Sequence, residues 1–169
     1  VHLLYYELQG YGSYEFDGFI RAEDMLGGQA SNGAEILYLD GVRNDVAGEY
    51  MLGVVAHELQ HLIHLAYDVN EDQWLNETLS EASMLVSGYL GDLEGWVIGD
   101  FLPNPAVSLT ASDASYNYGA GFLFGAYLLE RYGPDLLTAL VEAPGNGVAS
   151  LDAVLAAQGE TEDFAALLR

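Results

Sequence analysis

The order of its sequence patterns predicts an α+β domain, with strands first and helices after. Three observations predict it. Residues 1–46 hold short β-favouring apolar runs separated by glycines, and from about residue 47 apolar side chains recur at helical spacing. The length of 169 residues, 51% of them hydrophobic, suits one domain with its own core and is too short for two comfortable ones. Residues 1–169 are therefore read as a single domain, mainly strands over 1–46 and mainly helices over 47–169.

In the first part, "VHLLYYEL" and "EILYLDG" are the strand candidates, rich in tyrosine, leucine and isoleucine. Gly10, Gly12, Gly18, Gly27, Gly28 and Gly33 mark the turns between them. "GEYMLGVVAHELQHLIHLAYD" then places Leu52, Val55, Leu59, Leu62, Ile63 and Ala66 on one stripe, which predicts a helix over about 47–67. A polar connection at 70–73 leads to "QWLNETLSEASMLVSGYL", a second helix over about 74–90 that Gly91 is expected to stop. Trp74 is expected to pack this helix against the first. Residues 91–115, dense in Gly, Pro, Asn, Ser and Asp, read as a long loop. "YGAGFLFGAYLLERYG" predicts a third helix closed by Gly133-Pro134, and shorter helices are expected near 135–142, 149–157 and 161–168.

Composition narrows the function classes. The net charge is −22, lysine is absent, and the four basic residues are Arg21, Arg43, Arg131 and Arg169. Such a chain repels nucleic-acid phosphates, which excludes nucleic-acid binding, and it repels anionic lipid surfaces. There is no cysteine, hence no disulfide or thiolate chemistry. The apolar stretches are interrupted before they reach bilayer length, so no membrane span is expected. The chain opens on Val1 with no basic stretch leading into an apolar run, and it is expected to be a mature domain or fragment of a longer protein.

"VVAHELQHLIHLAYD" carries three of the four histidines. His57 and His61, four apart, share a helix face and can hold one Zn²⁺ through two imidazoles at about 2.0–2.1 Å. Glu58 lies about 100° around the helix, where it can act on a water beside the metal without ligating it, as a general base must. Three histidines and a glutamate in an apolar helix are costly to bury without a purpose. His64 falls on nearly the same face, but His57 and His64 are about 10 Å apart along the axis. His64 is therefore expected to line the site or pack beneath it. A catalytic zinc takes three protein ligands and keeps one open position. In "WLNETLSEAS", Glu77 and Glu81 share a face, and either can supply the third ligand.

"HELQH" followed by "WLNE" resembles the gluzincins, zinc peptidases whose third ligand is a glutamate of the following helix; thermolysin and the aminopeptidase-N-like enzymes are members. The phrasing is most similar to the hyicolysin-type secreted bacterial metallopeptidases, over about 54–90 with a weaker echo near 118–133. The resemblance implies a zincin-like fold: an N-terminal twisted β-sheet, the active-site helix, the glutamate helix and a C-terminal helical part. It implies Glu77 as the ligand and Glu81 as the carboxylate that orients His57. Fifteen residues separate His61 from Glu77, fewer than in thermolysin, which implies a minimal version of the domain. Tyr118 with Gly121 is similar to the Tyr-x-x-Gly of the aminopeptidase-N-like enzymes, where the tyrosine supports the oxyanion; Tyr116 is its near competitor.

The resemblance further implies peptide or protein substrates, more as an endopeptidase than an aminopeptidase, and a secreted or cell-surface setting. "SNGAEILYLDG" is a candidate edge along which a peptide adds as a strand. Asp68, Glu71 and Asp72 read as a solvated acidic turn. Two alternatives stand beside the peptidase: a zincin-fold module kept for binding, or a domain that processes only its parent chain.

Overall fold

The computed structural model describes residues 1–8, 16–89, 98–99, 101–111 and 118–169. Its elements in chain order are β1 (His2–Tyr6), β2 (Gly18–Ile20), α1 (Ala22–Leu26), β3 (Ile36–Asp40), α2 (Glu49–Tyr67), α3 (Gln73–Ser87), α4 (Tyr118–Tyr132), α5 (Pro134–Glu142), α6 (Gly147–Ala157) and α7 (Phe164–Leu167). This is an α+β architecture with a small sheet ahead of a helical body.

The sheet has the order β1-β3-β2. β1 runs parallel to β3, with Leu3 opposite Leu37, and β2 runs antiparallel to it, with Phe19 opposite Tyr38. β3 is buried because it is central and α2 covers it: Leu37 and Leu39 form a cluster with Met51, Val54 and Leu62. "SNGAEILYLDG", a candidate for the open edge or an ordinary strand of the sheet, is therefore the central strand. That edge beside α2 belongs to β2. The two neighbours that pair with β3 on either side leave it no free backbone groups to offer.

The described residues of segment 1–46 are also less strand-rich than its composition suggests. Its fragment Ala22–Leu26 is helical, since Ala, Glu, Met and Leu are good helix formers and two acidic residues sit in the first turn. Asp24 is buried there and accepts hydrogen bonds from Asn32 and from the Tyr38 hydroxyl, which joins α1 to β3. Asp40 closes β3 in the same manner, accepting from the backbone N–H groups of Leu8, Val42 and Arg43. Burial opposes its charge, but these donors and the Arg43 guanidinium hold its pKa down at about 2.

α2 and α3 form an antiparallel pair joined by a short connection. α3 ends at Gly88, three residues before the expected stop at Gly91, which lies outside the described residues. Gly88 adopts a left-handed φ of 75°, and its N–H and that of Tyr89 satisfy the last carbonyls of the helix. The described part of the expected loop over 91–115 includes helical residues at 98, 99 and 101. α4 lies close against α3 because Gly125 has no Cβ; an added one would stand 2.8 Å from the Thr78 carbonyl oxygen. Around this contact Leu75, Leu79, Ala82, Leu128, Leu136, Leu140, Leu151 and Leu155 form the larger core cluster. Trp74 belongs to it, and its ring meets Phe124 and Phe164, which supply the aromatic surface at the start of α3.

Candidate metal centre

The first two candidate ligands owe their position to helical repeat. His57 and His61 are one turn apart on α2, and their Nε2 atoms converge to 3.1 Å. Asp72 precedes α3, and the turn that follows brings Glu77 opposite this pair. Glu77 Oε2 stands 3.3 Å from His57 Nε2 and 3.6 Å from His61 Nε2. Three ligand atoms on a tetrahedral metal with bonds of about 2.0–2.1 Å lie about 3.3–3.4 Å apart. The three observed separations bracket that spacing. Glu77 Oε2 is moreover buried without a hydrogen-bond partner. A buried anionic oxygen so placed is accounted for by a cation among the three atoms. His57, His61 and Glu77 are thus a group that can hold a metal ion.

The backs of both imidazoles are held. His57 Nδ1 is 3.3 Å from Glu81 Oε1, whose side chain is buried on α3. His61 Nδ1 is 3.0 Å from both Asn76 Oδ1 and Ser80 Oγ. Donation from each Nδ1–H leaves each Nε2 lone pair directed at the shared point. Of the two glutamates that spacing alone left open, Glu77 faces both Nε2 atoms, and Glu81 meets only the back of His57.

The charges within the group are coupled. Burial alone would push His57 down, but Glu77 and Glu81 beside it carry it well above the ordinary histidine range. Burial opposes the charge of Glu77, yet the two imidazoles hold it at about 2. Glu58 is 7% exposed, and burial pushes its carboxyl up against the lowering influence of both imidazoles.

His57, Glu58, His61 and Glu77 line a cleft of about 380 Å³. Its other wall is β2, where Gly18, Phe19 and Ile20 meet α2. Gly18 fits against α2 only as glycine: a Cβ would lie 2.7 Å from Val54 Cγ1 and 2.9 Å from Glu58 Cγ. Phe19 is fixed by stacking on Tyr38, with centroids 4.8 Å apart. Asp17, just before β2, accepts from Asn44 Nδ2 and the Tyr50 hydroxyl, which fastens the strand to the segment leading into α2.

Tyr118, the first residue of α4, also lines the cleft, with its ring centroid 6.4 Å from that of His57. Burial and then the charges of Glu77, Glu81 and Glu58 raise its pKa, so its hydroxyl stays protonated. Tyr116 lies outside the described residues. The acidic turn departs from expectation at Glu71, whose side chain is 1% exposed rather than solvated. It folds inward because the backbone N–H groups of Asp72 and Gly147 bind its Oε1 at 2.6 and 2.7 Å.

Sequence reading missed β2 as the cleft wall and missed Asn76, Ser80 and Gln60 as supports. Asn76 and Ser80 carry a signal, since one adjoins Glu77 and both lie on the α3 face that carries Glu77 and Glu81. The segment at 16–20 carries none beyond its glycine. Compared with known proteins, the chain matches no family model and no curated protein. Among the described residues no helix is long and apolar enough to cross a membrane.

Proposed function

We propose that this protein is a zinc-dependent peptidase of gluzincin type with a zincin-like fold, acting as an endopeptidase on peptide or protein substrates outside the cell. One observation carries the reading: two imidazole nitrogens and a buried carboxylate oxygen converge at tetrahedral spacing, with a second buried carboxylate, Glu58, in the same cleft.

His57, His61 and Glu77 would hold the ion, and the mixed nitrogen and oxygen donor set with no thiolate suits zinc. When bound, zinc supplies Lewis-acid polarisation of water and of the scissile carbonyl. Glu58 accepts the proton of the attacking water and delivers it to the departing amine. Its raised pKa suits this double duty, because a base that also returns the proton works best with a pKa near the ambient pH. Tyr118 donates to the oxygen that gains negative charge. Glu81 keeps His57 in the tautomer that presents Nε2 to the metal. An extended peptide aligns along β2, whose outer edge is free of strand partners among the described residues.

The test uses unfolded casein with and without a chelator. Cleavage is expected in the zinc-loaded protein and is expected to stop when the metal is removed. Glu58→Gln should retain zinc and fold yet lose nearly all hydrolysis, because the amide cannot accept the water's proton. Cleavage by this variant at the wild-type rate would remove Glu58 from its role.

A further inference from the structure

Behind the three convergent ligand atoms lies a set of buried polar groups that the chemistry above does not use. His64 is fully buried, and its Nε2 has no hydrogen-bond partner. Glu71 Oε2 is buried and likewise without a partner. The two atoms face each other at 3.7 Å, too far for a good hydrogen bond and too near to admit a water between them. On its other side, His64 Nδ1 is 3.3 Å from Gln60 Nε2. Gln60 Oε1 accepts the Ser80 hydroxyl, and Ser80 Oγ is 3.0 Å from His61 Nδ1. One buried path thus runs from Glu71 to His61.

Each link has a direction, because each group has a fixed stock of donors and acceptors. Ser80 Oγ has two acceptors in reach, Gln60 Oε1 and the Asn76 carbonyl oxygen at 3.0 Å; with its proton directed to Gln60, Ser80 Oγ accepts from His61 Nδ1–H. With Gln60 Oε1 occupied, the amide nitrogen donates to His64 Nδ1. Neutral His64 must then carry its proton on Nε2, facing the Glu71 carboxylate. Burial pushes His64 below the ordinary histidine range and so favours this neutral form.

We propose that Glu71 is a positioning residue which, through His64, Gln60 and Ser80, fixes the tautomer of His61 and leaves its Nε2 unprotonated toward the metal. The consequence for metal binding rests on the metal-centre reading above, whereas the relay itself stands on the hydrogen-bond directions. Glu71→Gln would set an amide N–H against His64 Nε2–H. The conflict is relieved when the path reverses: His64 moves its proton to Nδ1, the Gln60 amide turns over, and the Ser80 hydroxyl turns toward His61 Nδ1. The His61 proton then resides on Nε2, where it competes with the metal. Asn76 Oδ1 also accepts from His61 Nδ1, so the loss is partial.

Two readouts test this. Nitrogen-15 NMR of histidine-labelled, metal-free Glu71→Gln protein is expected to show His61 shifted toward the Nε2–H tautomer. Zinc affinity by chelator competition is expected to fall roughly 10–100-fold, the usual cost of losing a support behind a ligand. Gln60→Met cuts the path at similar volume and should weaken zinc comparably in a protein with a wild-type circular dichroism spectrum. The double variant should lose little more than either single one, since both break one path. A wild-type tautomer in Glu71→Gln, or additive losses in the double variant, would overturn the proposal. Should Glu71→Gln fail to fold, Gln60→Met carries both readouts, and unchanged values there overturn it equally. Absence of zinc uptake by the wild-type protein would instead remove the metal-centre reading, with the tautomer measurement still deciding the relay.

Discussion

At the scale of single residues, the account turns on which atoms face the shared point and which stand behind it. Glu77 has an oxygen directed at both Nε2 atoms, while Glu81 touches His57 from the far side. The two should therefore differ on substitution. Glu77→Ala is expected to release zinc outright, and Glu81→Ala to cost roughly 10–100-fold in affinity or activity. Zinc titration of both variants checks this, and zinc kept in the first and lost in the second would exchange their roles. Tyr118 acts, in this account, on charge that appears only in the transition state. Tyr118→Phe should lower kcat on the order of 10²–10³, about 3–4 kcal/mol, with KM nearly unchanged. Steady-state kinetics on one peptide decides it, and a variant within a few-fold of wild type would leave Tyr118 a packing residue.

At the scale of elements, the site is made where α2 meets α3 on one side and β2 on the other. The α2–α3 half was legible in the sequence. A four-residue histidine spacing is a helical repeat, and the acidic residues of the next helix have that same repeat. The β2 half was not legible. Three residues, Gly18 to Ile20, are too few to show alternation, and nothing local says that they rather than Ile36–Asp40 end at the edge. Only tertiary pairing assigns the centre to β3. Likewise the inward turn of Glu71 depends on the amide of Gly147, 76 residues away. The contact of Gly18 with α2 makes a prediction at this scale. Gly18→Ala overpacks the seam between β2 and α2, with an expected cost of about 1–3 kcal/mol in stability. Because the new methyl presses on Glu58 Cγ, kcat should fall while zinc content holds. Urea unfolding and metal analysis of the variant test this, and wild-type stability with wild-type kcat would contradict the tight seam.

At the scale of the whole molecule, a small mixed sheet and a helical body meet along α2, and the centre sits on the face of α2 between them. The broad order of strands then helices followed from periodicity. Helix ends were less legible, since the choice between Gly88 and Gly91 depends on which glycine finds the free carbonyls of Leu85 and Met84. The ligand triangle needs both helices in place, so metal uptake reports on the assembled fold as well as on the ligands. The most direct measurement is the zinc content of metal-replete, dialysed protein by elemental analysis. The account predicts about one tightly held zinc per chain, lost in Glu77→Ala. A content far below one equivalent in the wild-type protein would contradict it.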